Sequence, residues 1–178
     1  MTLQIERRVL FNSLALSVGM VGLPWLSRTA ASAVVPAPAD KAILTVSGKV
    51  SNTNREGAID FDRAMLEGIG LTAFVTTTPW YNGEMKFEGV LMSRLMSFVG
   101  AKGDKVTALA LNDYSTDIPM EDLTAYKVIL ALKRNGEYMP VNDKGPLFVV
   151  YPYDSDPALK HQRYYSRSAW QVRRMIVK

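Results

Sequence analysis

Cysteine is missing from all 178 residues. That one absence removes disulfides, thiolate-bound zinc, iron–sulfur clusters and thiol catalysis. Histidine is almost as scarce: His161 stands alone, and a single imidazole cannot assemble a histidine-rich metal site. No loop alternates acids and amides as a calcium site would. Gly-rich phosphate loops and a GxSxG elbow are lacking too. His161 has no serine to activate, so a nucleophilic triad is unsupported and a surface position is expected for it. No metal ligand and no catalytic residue is assigned.

What is present is ordinary globular material, with 48% hydrophobic and 21% charged residues, which argues against wholesale disorder. The formal charge is +4. Arg7, Arg8 and Arg28 against Glu6 supply half of it, all before residue 34. The remainder is too weakly basic for a nucleic-acid binder.

Residues 1–33 are expected to be an export signal. Arg7 and Arg8 form a basic start, Val9 to Leu26 is mostly apolar, and Ala31-Ser32-Ala33 offers small residues for cleavage. An uncleaved membrane anchor is the alternative, disfavoured by Pro24 and the Ala-x-Ala site. The Arg pair raises the twin-arginine route, but Glu6 precedes it and Phe11 stands one place too far along. Sec and twin-arginine export both stay open, with the periplasm as destination. Residues 34–40 (VVPAPAD) are expected to be an extended, mobile linker because Pro36 and Pro38 cannot continue a helix. One domain, 41–178, should follow.

Its pattern predicts many short strands and a few short helices, an α+β class. Strands are expected at 42–50, 58–61, 71–78, 106–111, 116–118, 127–132 and 147–151, with 170–177 closing the chain. Asp62 should cap a helical turn at 63–67 closed by Gly68 and Gly70. A helix is predicted over 90–99, with Leu91, Leu95 and Val99 on one face and Gly100 as its stop. Another helical turn is predicted over 119–123, and Asn135-Gly136 is a hairpin signal.

Phe87-Glu88-Gly89-Val90, Asn112-Asp113-Tyr114, Val128 to Ala131, Asn135-Gly136 and Gly145 to Pro152 follow one another in a telling order. Together they resemble the molybdopterin-binding domain of the sulfite oxidase family, over roughly Leu44 to Val177. The resemblance implies a mixed multi-strand domain, a bound molybdopterin and a cysteine ligand just upstream of the Gly-Val pair. That stretch is here Thr72 to Trp80, with four threonines and no thiol. A hydroxyl reproduces neither the charge nor the softness of a thiolate, and Thr76 to Thr78 have ordinary strand propensity. The family's inserted pterin loops also have little room, since only sixteen residues separate Leu71 from Phe87.

The resemblance also nominates residues for cofactor binding. Asp113 and Tyr114 fall on the family's Asp-Gly-Tyr turn, where Asp113 replaces glycine and could orient Tyr114, bind a partner or make an Asx turn. The family's basic residue before a Trp does not transfer, because Ala169 precedes Trp170. Lys160, Arg163 and Arg167 are the positional substitutes, in a segment whose cations interleave with tyrosines. A solvated basic face or a docking surface is the competing reading. The aromatics Trp80, Tyr81, Tyr151, Tyr153, Tyr164, Tyr165 and Trp170 are expected to be core or groove wall.

The expectation is therefore an exported, non-catalytic binding or signalling module. Its partner would be a small anionic ligand or a periplasmic or membrane protein. The alternative is an active molybdopterin oxidoreductase whose metal takes a non-cysteine or partner-supplied ligand. An open cavity between Thr72–Trp80 and Lys160–Arg167 would keep a ligand in play.

Overall fold

The structure, a computed structural model, describes residues 35–178. The expected export signal lies outside the described residues. Two five-stranded sheets share one core. The first has the order β2-β1-β10-β5-β6, built from β1 (Leu44–Gly48), β2 (Ala58–Phe61), β5 (Lys105–Ala110), β6 (Ser115–Pro119) and β10 (Val172–Val177). Here β1 and β10 run parallel and the other pairs antiparallel. The second contains β3 (Leu71–Thr78), β4 (Tyr81–Leu91), β7 (Ile129–Arg134), β8 (Glu137–Tyr138) and β9 (Phe148–Val150). Its order is β3-β4-β7-β8, with β9 also on β7. Val46, Ile59 and Phe61 from one sheet meet Phe87, Leu130 and Val150 from the other in the buried core.

Four short helices connect these strands: α1 (Arg63–Gly68), α2 (Met92–Phe98), α3 (Met120–Ala125) and α4 (Gln162–Arg167). Asp62 caps α1 as expected, accepting from the Met65 N–H at 2.8 Å. It does more: its other oxygen accepts from the Ala39 and Asp40 N–H groups at 2.9 and 3.1 Å. These donors, Met65 first, hold the Asp62 carboxyl below its ordinary range. Asn54 adds a bond to the Pro36 carbonyl at 3.0 Å. Residues 35–40 are thus fastened to the domain, where a mobile linker was expected. Hydrogen bonds to the backbone of this segment outweigh what the two prolines suggest.

The predicted helix over 90–99 also needs correction. Val90 and Leu91 remain in β4, paired with Leu130 and Ile129, and α2 begins at Met92. β4 itself escaped prediction, although Met85 and Phe87 alternate there with Glu84, Lys86 and Glu88. Gly89 explains the bend. The register between β4 and β7 shifts at Glu88/Gly89, and a Cβ at Gly89 would run into the Leu130 carbonyl oxygen and the Ala131 backbone.

This close approach makes a test. Gly89→Ala forces two central strands apart and should cost about 3 kcal/mol, or roughly 10 °C in Tm. Calorimetry checks it, and an unchanged Tm would show that the strands do not meet there.

Candidate functional site

The stretch where the resemblance puts the metal ligand, Thr72 to Trp80, takes in most of the edge strand β3, and one carboxylate engages two of its hydroxyls. Thr76 is buried. Its Oγ1 accepts from the Asp154 N–H at 3.1 Å and lies 3.2 Å from Asp154 Oδ2. The Thr77 hydroxyl donates to Asp154 Oδ1 at 2.8 Å, and the Thr77 N–H donates to Oδ2. The third threonine, Thr78, accepts from the Trp80 N–H at 3.4 Å. Lys160 completes the cluster with an ion pair to Asp154 at 2.5 Å. Lys160 first, then the Thr77 N–H, hold the Asp154 carboxyl far below the usual carboxylate range.

Beyond this clasp the chain turns at Pro79-Trp80, and a cleft of about 320 Å³ opens between that turn and α4. Trp80, Tyr165 and Trp170 make its aromatic wall, with Trp80 edge-on to Trp170 at 5.5 Å and to Tyr165 at 6.1 Å. Asn112, Gln162, Ser166 and Ser168 supply the polar rim. Among the described residues no lining side chain is charged. Tyr114 closes one side, donating from its hydroxyl to the Ser166 carbonyl at 2.6 Å and so joining the β5–β6 turn to α4. Behind the wall, Tyr153 is buried and its hydroxyl lies within hydrogen-bond reach of Ser168. Burial pushes the Tyr153 phenol well up.

Of the residues nominated for cofactor binding, Tyr114 alone lines this cleft. Asp113 sits in the left-handed region at φ 63°. It faces outward to Arg173 at 3.0 Å, and the Asx bond of the turn is made by Asn112, whose Oδ1 accepts from the Tyr114 N–H at 3.2 Å. Lys160 is taken by Asp154. Arg167 turns into the protein, where it meets Asp122 at 2.7 Å beside the Tyr151 hydroxyl, itself 2.7 Å from the same oxygen. Arg163 is exposed and lines a separate recess together with Glu121 and Asp122. Three cations of the basic segment, Lys160, Arg167 and Arg173, are thus paired with Asp154, Asp122 and Asp113, and none of the three lines the cleft. His161 is exposed, as expected, and its Nδ1 accepts from the Arg163 N–H at 3.1 Å as the N-cap of α4.

The aromatic set also divides. Tyr151 and Tyr153 are core, Trp80, Tyr165 and Trp170 face the cleft, and Tyr164 packs on Tyr126 at 5.7 Å. Tyr81 donates to Asp143 at 2.9 Å beneath Arg134, and burial pushes its phenol up to about 12. Sequence reasoning missed Gln162, Ser166 and Ser168, because α4 was not foreseen. The one available signal was His161 standing as a cap before Gln162.

The donor set fits a molybdopterin-bound metal poorly. There is no thiolate, the threonine hydroxyls are engaged, and the cleft lining offers no cation to a phosphate. Among the described residues no three His, Cys, Asp or Glu side chains converge. The residues present do not fit the group.

The clasp has a pH signature. A carboxyl with a depressed folded pKa stabilises the fold above its unfolded value of about 3.9 and loses that contribution as pH falls toward the folded value. Asp154→Asn should therefore melt below the wild type at neutral pH, with the gap closing progressively below about pH 4. Melting curves across pH check this; a gap independent of pH would remove the charge from the account.

The family model for the oxidoreductase molybdopterin binding domain matches residues 40–154. No curated protein matches the chain. The matched stretch takes in β1 to β9 and stops at Asp154, so α4 and Trp170, the far wall of the cleft, lie beyond it. On this match, over most of its length, the chain belongs to the oxidoreductase molybdopterin-binding domain family.

Proposed function

We propose that this chain is an exported, non-catalytic member of its family, working as a periplasmic binding or signalling module through the cleft between Trp80 and α4. The observation that carries the reading is the Asp154 clasp: the hydroxyls of Thr76 and Thr77, in the stretch where the resemblance puts the metal ligand, are bound to a carboxylate. A carboxylate locked to two threonines and Lys160 is not available to a metal.

The cleft supports binding. Its volume is near the lower end of small-molecule sites, and aromatic walls with a few amides and hydroxyls are the usual lining of such sites. Its lack of charge alters the ligand class: a neutral, flat group stacks on Trp80 and Trp170 better than the anion expected from the basic C-terminal segment. The occupant is a small neutral molecule or the side chain of an exported partner. Export rests on the basic start, apolar stretch and Ala-x-Ala site of residues 1–33.

The reading is tested by changing the metal supply. A tightly held cofactor that saturates its site stabilises the fold by about 3–4 kcal/mol through linkage, and so raises Tm. Protein purified from molybdate-replete and molybdate-starved cells should melt at the same temperature. A higher Tm in the replete sample would restore the oxidoreductase alternative.

A further inference from the structure

The exposed edge of β3 differs from every other strand edge among the described residues. β2 has four residues and an ion pair between Asp60 and Arg55. β6 carries Asp117 and ends in Pro119, and β8 has only two residues. β9 is buried, its Val149 N–H bonded to the Ala169 carbonyl. Charge, proline, brevity and cover are the usual devices against edge-to-edge pairing. β3 has none of them. It is eight residues long (LTAFVTTT), without charge, proline or glycine, and Leu71 and Val75 are 38% and 54% exposed.

The direction of its free backbone groups follows from Asp154. The Thr77 N–H points away from β4, because it donates to that carboxylate. In an antiparallel ladder alternate residues point the same way, so Leu71, Ala73 and Val75 also present their N–H and C=O groups outward. The next positions on either side are closed: the Ile69 N–H bonds to the Leu66 carbonyl, and the Thr77 N–H to Asp154. These two stops are equidistant from Ala73.

We propose that the open stretch of β3 pairs antiparallel with the same stretch of a second copy of this chain, about a two-fold axis at Ala73. Leu71 then faces Val75 of the partner, Ala73 faces Ala73, and each pair exchanges two hydrogen bonds. Stop falls on stop, Ile69 opposite Thr77, so no outward group within the stretch is left unpaired. A two-fold contact demands such self-matching. The apolar side chains Leu71 and Val75 are brought side by side on the exposed face, and the two sheets join into one.

Charge permits the pairing. β3 brings none, and on β4 the residues beside Ala73 and Val75 are Glu88 and Lys86, paired with each other at 3.0 Å. The two Glu88 residues of a dimer would lie three strand spacings apart, about 14 Å. That exceeds the screening length of about 8 Å at physiological salt.

Sedimentation velocity of the protein as its host matures it, at micromolar concentration, should give twice the chain mass. Val75→Lys puts a charge on the edge, and Ala73→Pro removes a donor that no strand among the described residues uses. Each should halve the sedimenting mass with far-UV circular dichroism unchanged. Amide exchange supplies an independent reading on the wild type. Leu71, Ala73 and Val75 should be slow at high concentration and quicken on dilution. A wild-type monomer overturns the proposal and leaves the edge to a different partner. So does a dimer that both variants keep, or exchange at these three amides that ignores dilution.

Discussion

The Asp154 carboxylate joins two parts of the chain that the cleft needs held together. It grips Thr76 and Thr77 at the end of β3, while Lys160, just before α4, grips it. This contact spans 77 residues of sequence, so it fixes where the Pro79-Trp80 turn stands relative to α4. The side chains that form it are short or half-exposed, and isolated surface ion pairs contribute little. Its strength comes from several donors meeting one carboxylate, a backbone N–H among them.

The clasp also accounts for the chemistry of the cleft. Hydroxyls that point to a carboxylate cannot serve a metal, and the lysine that neutralises the carboxylate cannot serve a phosphate. The same economy recurs at Arg167 with Asp122 and at Arg173 with Asp113. Three of the six cations in the C-terminal segment are tied in this way to acids outside it. An aromatic, uncharged recess is what remains. The family scaffold is present from β1 to β9 and supplies Trp80 and Tyr114 to the recess, while α4 and Trp170, its other side, lie outside the matched stretch.

Local signals were legible in the sequence. Ala58 to Phe61, Leu71 to Thr78, the Asp62 cap and the Asn135-Gly136 hairpin all form where pattern and turn chemistry put them, Asn135 and Gly136 with positive φ. Long-range choices were not. Val90 and Leu91 suit a helix by spacing, yet the β7 ladder claims them. β4 was lost because Gly83 and three charged residues weaken its apolar signal, though the alternation at Met85 and Phe87 was readable. The site suffered most. A run of Lys and Arg without a neighbouring acid reads as unpaired charge, and nothing local tells that Asp122 lies 45 residues from Arg167 in sequence but 2.7 Å away in space. Tyr114 was found because it belongs to a motif. Gln162 and Ser168 belong to none.

What the protein carries, if anything, separates a binding module from a redox enzyme. Native mass spectrometry of protein taken from the exported fraction measures this directly. The account predicts the polypeptide with no molybdenum and no pterin attached. A stoichiometric adduct of a molybdenum-bound pterin would contradict it.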